Sequence, residues 1–127
     1  METKPREDEL ALRLRVMRGA DIVLGPGRAD LLAHIAATGS IAGAGRLMGM
    51  SYKRAWALVE AMNHMFRAAV VEAVKGGAGG GGARLTPMGE RVLAAYRGLE
   101  ESLDASGAAY LAELKAALPV PPEGKDL

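Results

Sequence analysis

A chain of 127 residues is long enough for one domain with a short tail, and a composition that is 50% apolar can supply its core. With one Trp, three Tyr and one Phe that core must be mainly aliphatic, and the absence of cysteine excludes disulfides, thiolate metal sites and cysteine nucleophiles. Net charge is only +1, but seven basic residues stand against three acidic ones from Ser51 to Arg97, and two lysines against six acids from Gly98 to Leu127. A basic middle and an acidic end hint at an anionic partner for one region, although a solvated basic face gives the same pattern. No apolar stretch approaches the roughly 18–20 residues that cross a bilayer, and the charged start METKPREDE lacks the apolar centre of a signal peptide. A cytoplasmic protein with no membrane partner is expected.

Residues 1–9 read as a disordered tail. In LALRLRV, Leu10, Leu12, Leu14 and Val16 alternate with polar positions, the period of a strand with one buried face. RGAD at 18–21 supplies a turn, IVL at 22–24 a second strand, and GPG at 25–27 its end, so a small β-hairpin is predicted. From Arg28 the period becomes helical, with Leu31, Leu32, Ile35 and Ala36 on one face and Thr38-Gly39 as the stop. Ser40 is suited to cap a short second helix whose apolar face is Ile41, Ala44, Leu47 and Met48, and Gly49 follows it. Ser51 can cap a third helix that turns Ala55, Leu58, Val59, Met62 and Phe66 inward, with Trp56 near the edge of the stripe. VVEAV at 70–74 and ARLT at 83–86 are short strand candidates flanking a glycine run. Thr86-Pro87 opens a long helix along Met88, Val92, Tyr96, Leu99, Leu103, Tyr110, Leu111 and Leu114. Ser106 and Gly107 interrupt that stripe and are expected to kink or split the helix; Pro119, Pro121 and Pro122 end it.

Two short helices joined by a glycine turn suggest a helix-turn-helix, which needs a very small residue where the helices cross and a residue tolerant of positive φ in the turn. Gly45 and Gly49 meet the two demands, although an ordinary helical hairpin would use them equally well. A strand, loop and strand placed after the third helix describe a wing, which favours the DNA-binding reading. The third helix would then begin with SYKRAW at the groove: Arg54 can bond guanine, while Ser51, Tyr52 and Lys53 mostly position the backbone. The candidate DNA-binding set is Ser40, Ser51, Tyr52, Lys53 and Arg54 with Lys75, Gly79, Gly80 and Arg84 of the wing; Gly45, Gly49 and Trp56 are assigned structural roles in the helix pair. His34 and His64 have no second ligand at helical spacing, so no metal or cofactor is expected. The glycine run lacks the lysine and hydroxyl of a nucleotide-binding loop, and no catalytic set accompanies it, so an enzyme is not expected.

The stretches TGSIAGAGRLMGMSYKRAWALVEAMNHMF and VVEAVKGGAGGGGARLTPMGERVLAAY resemble the N-terminal DNA-binding domain of the ModE family of molybdate-responsive bacterial regulators, with a related domain in LysR-type regulators. The likeness runs from about Leu10 to Leu103. It implies an α+β, mainly α fold: a winged helix-turn-helix over 10–118, with an N-terminal β-hairpin and a long C-terminal dimerisation helix; the residues themselves then give a proline-rich tail at 119–127, where the chain departs from the family. It also implies a homodimer that binds a pseudo-palindromic site in double-stranded DNA. Family members carry C-terminal molybdate-binding domains, for which this sequence has no room; that counts against molybdate as a ligand. The alternatives are an oxyanion or other small-ligand sensor with a pocket between protomers, and a protein-interaction module using the acidic helix.

Overall fold

The computed structural model describes residues 9–76 and 81–120. The elements follow the order β1 (Val16–Arg18), β2 (Asp21–Leu24), α1 (Pro26–Thr38), α2 (Ile41–Leu47), α3 (Tyr52–Met65), β3 (Val71–Val74), β4 (Gly82–Leu85) and α4 (Pro87–Ala117). The described residues thus form a mixed, mainly helical structure with two antiparallel two-stranded sheets, β1–β2 and β3–β4.

The first hairpin is shorter than the alternation suggested. β1 pairs with β2 from Val16↔Leu24 to Arg18↔Asp21, with an irregularity after Val16, and Gly19 turns the chain at φ 61°. Residues 10–14 are not a strand, and Leu10 and Leu12 remain exposed. Alternation specifies faces but not partners; here the Leu14 carbonyl accepts a hydrogen bond from the Tyr96 hydroxyl at 2.7 Å instead of a strand N–H. The segment runs beside α4, where it lines an open groove with Arg97, Glu100, Leu103, Asp104 and Leu111.

α1 starts two residues earlier than expected because Pro26 occupies the first turn, where its missing N–H is harmless. It stops at Gly39, whose φ of 71° is left-handed and whose N–H donates to the Ile35 carbonyl at 2.8 Å. α4 is one continuous helix of 31 residues, so Ser106 and Gly107 neither split nor end it. One interior glycine costs about 1 kcal/mol relative to alanine, which good helix formers on both sides offset. The segment before β1 passes close to the helix there: a Cβ on Gly107 would lie 3.8 Å from Leu12 Cδ1, an ordinary contact distance.

The core joins Leu31, Leu32 and Ile35 of α1 to Ala44 of α2, Ala55, Val59 and Met62 of α3, Val70, Val71 and Ala83 of the second hairpin, and Tyr96 of α4. Burying each of its Leu, Ile, Val and Met side chains contributes about 1.5–3 kcal/mol. Leu58 and Phe66, expected inside, are only partly buried. Beyond the segment before β1, the distal part of α4 is uncovered: Leu99, Leu103, Tyr110 and Leu114 are exposed, as is Leu118 just past its end.

Candidate nucleic-acid interface

The helix pair is held by local chemistry. Ser40 Oγ accepts from Gly43 N–H at 2.9 Å and Ser51 Oγ from Arg54 N–H at 3.1 Å, so each serine caps the helix it precedes. A Cβ on Gly45 would sit 3.2 Å from Ala55 Cβ and 3.3 Å from the Met50 carbonyl oxygen, close enough to wedge α2 from α3. Gly49 takes φ 67°, and Met50 N–H returns to the Gly45 carbonyl at 2.9 Å, closing the turn.

That packing leaves the first turn of α3 exposed. Tyr52, Lys53 and Arg54 all face solvent, and among the described residues neither cation has an ion-pair partner. Trp56, assigned to the structure of the helix pair, is 48% exposed and stands outside the core. Further along the helix, His64 Nε2 lies 3.7 Å from Glu60 on the solvent side.

The β3–β4 hairpin is fixed to this unit at both strands. Asn63 of α3 accepts from Val70 and Val71 N–H at 2.8 and 3.1 Å and donates to the Val71 carbonyl at 3.2 Å, setting where β3 begins. Ala83 N–H donates to the Gly39 carbonyl at 2.9 Å, and a Cβ on Gly82 would fall 2.6 Å from that oxygen. Beyond β4, Thr86 caps α4 through Gly89 N–H at 3.0 Å and donates its hydroxyl to the Ala69 carbonyl. Gly89 lies against the Val70 carbonyl with no room for a side chain. The sequence alone did not identify Asn63, Gly82 or Gly89 as site-building residues. Their partners are distant in the chain, and the only local signal was the glycine after Thr86.

On the hairpin, Lys75 is exposed, and Arg84 lies 3.5 Å from Glu72, its cross-strand neighbour. Gly79 and Gly80 fall outside the described residues. Arg97, counted in the basic middle, is turned away from it: its guanidinium bonds Asp30 and Glu100, each at 2.9 Å. Burial would lower its pKa, but the hydrogen bonds to Asp30 and Glu100 outweigh that and hold it above the ordinary arginine value. Among the described residues no three His, Cys, Asp or Glu side chains are grouped to hold a metal, and no helix is long and apolar enough to cross a membrane.

No protein-family model matches the chain. It is 53% identical over 77 residues to the molybdenum-pterin-binding protein MopB of Rhodobacter capsulatus, covering 61% of this chain and 28% of MopB. MopA of the same organism is 41% identical over 97 residues, covering 76% of the chain and 37% of that protein. The DNA-binding transcriptional dual regulator ModE of Escherichia coli K12 is 42% identical over 87 residues, 68% of the chain and 32% of ModE. The chain therefore matches about a third of the length of these relatives. These likenesses support a ModE-like family, and the names describe transcription regulation and molybdenum-pterin binding rather than an enzyme.

Proposed function

We propose that the chain is a sequence-specific, double-stranded-DNA-binding transcription regulator of ModE-like kind. In this reading α2, its turn and α3 act as a helix-turn-helix and the β3–β4 hairpin as its wing. The observation that carries the reading is the capped start of α3. Ser51 satisfies one backbone N–H there, while exposed Lys53 and Arg54 add two cations with no ion-pair partner among the described residues. A helix N-terminus with free donors and cations suits phosphate, and an arginine in the major groove can bond guanine through two donors. Arg84 with Lys75 extends the positive surface along the hairpin, where Arg84 is already partly neutralised by Glu72. The name of the Escherichia coli relative, aligned over 68% of this chain, supports DNA as the partner.

The protein binds as a homodimer, each protomer placing α3 in one half of a pseudo-palindromic site, with the exposed face of α4 supplying the contact between protomers. The test is binding to duplexes enriched from a random pool and, in parallel, to random duplex. Arg54→Ala is expected to lose about 1–3 kcal/mol on the enriched sequence and much less on random DNA. Equal losses on both would reduce Arg54 to a phosphate contact; no enrichment would remove the reading.

A second reading is favoured by the relatives named as molybdenum-pterin-binding proteins. It makes the protein an oxyanion sensor with a pocket formed between protomers. Titration of the protein with molybdate in a calorimeter separates the two: saturable heat supports the sensor.

A further inference from the structure

We infer that Trp56, with Tyr52 one turn before it, reads sequence through apolar contact with thymine C5-methyl groups, an inference that rests on the DNA-binding reading above. The protein has a single Trp, and its core is built without it: Leu31, Leu32, Ile35 and Met62 fill the centre while the indole is 48% exposed and Tyr52 57% exposed. Leaving the largest apolar side chain of an aromatic-poor protein in water forgoes burial that a core position would have gained. Its position explains the arrangement. At about 100° per residue, the buried stripe Ala55, Val59 and Met62 fixes the inner side of α3. Lys53 then stands nearly opposite that stripe, with Trp56 and Arg54 about a quarter-turn to either side of the buried line. Tyr52 shares the Trp56 shoulder, as residues four apart do. Ala57 and Ala61, exposed and small, keep the Arg54 side of the outer face low, while Glu60 continues the Trp56 shoulder one turn on and lies 3.7 Å from His64.

A helix with this cross-section suits the major groove. In its first turns the charged shoulder faces one wall, the outermost residue is Lys53, and the aromatic shoulder needs an apolar group on the other wall. The thymine methyl is the apolar group that the major groove presents, and the minor groove presents none. The cations beside the aromatics favour DNA over an apolar protein surface, which would have to bury Lys53 without a partner.

The experiment uses the full chain and the best duplex enriched from a random pool. Each thymine of that duplex is replaced in turn by uracil, which removes only the methyl group. One or more replacements should weaken wild-type binding about three- to fivefold, the effect of losing one buried methyl. At least one of those replacements should become silent in Trp56→Ala and still be felt by Trp56→Phe. Without any variant, emission from the single tryptophan reports its accessibility: iodide should quench it in the free protein and much less in the complex. Three outcomes would overturn the proposal: full methyl sensitivity in Trp56→Ala, unchanged iodide quenching on binding, or tryptophan already protected in DNA-free protein by self-association. Failure to enrich any duplex would remove the DNA-binding reading itself, whereas enrichment with uracil-insensitive binding would remove only the role of Trp56.

Discussion

At the scale of single residues, three glycines with one chemical formula have different consequences. Gly89 sits against the Val70 carbonyl, where an added Cβ would overlap backbone that cannot step aside. Gly98, nine residues further along the same helix and so on its opposite side, has nothing within 4 Å of an added Cβ. Gly89→Ala is therefore expected to lower stability by about 3 kcal/mol or more, and Gly98→Ala to raise it by roughly 1 kcal/mol through helix propensity alone. Urea unfolding followed by circular dichroism measures both, and the opposite signs are the point of the comparison. Gly49 is a third kind: its neighbourhood is empty, but φ 67° strains any residue bearing a Cβ.

At the scale of elements, α4 is the unfinished part. Its 31 residues span about 46 Å, at 1.5 Å per residue, and only the half nearest Thr86 has the core beneath it. On the remainder, Leu99 and Leu103 are repeated as Tyr110 and Leu114 eleven residues later, three turns on, so the exposed stripe runs almost straight down the helix. A second copy is the proposed cover. Replacing Leu103 and Leu114 together by Glu is expected to give a monomer by sedimentation velocity, with reduced helix content confined to α4; a dimer of unchanged mass would place the subunit contact elsewhere. What could be read from the sequence about these elements follows the reach of the forces involved. The caps at Ser40, Ser51 and Thr86 and the turn at Gly49 are local, acting within four residues, and each was legible. The extent of β1 was not, because Leu10 and Leu12 alternate as a strand does but meet α4 instead of a pairing strand. Nor were Asn63 and Gly82, whose importance comes from Val70, Val71 and Gly39, residues the chain brings close only when folded. In the candidate site the charges of α3 were legible from SYKRAW, whereas the pairing of Arg97 with Asp30, 67 residues away, was not.

At the scale of the whole molecule, charge is divided along its length. The basic residues of α3 and the β3–β4 hairpin precede an α4 whose distal part carries Glu100, Glu101, Asp104 and Glu113. Binding to a polyanion should therefore depend strongly on salt and engage the first region. Each phosphate neutralised contributes about −0.9 to the slope of log affinity against log salt, so Lys75→Ala is expected to reduce that slope by about 1 on every sequence tested. An unchanged slope would leave Lys75 off the contact surface. The attachment of the hairpin adds something charge does not. Because Asn63 holds β3 and Gly39 holds Ala83, the spacing between hairpin base and α3 belongs to the folded protein and not to whatever it grips. In the proposed DNA-binding role, the two would act as the jaws of a gauge set in advance. A duplex seated in both must bring its own groove to that width, and sequences too stiff to do so would be rejected at base pairs that no side chain touches.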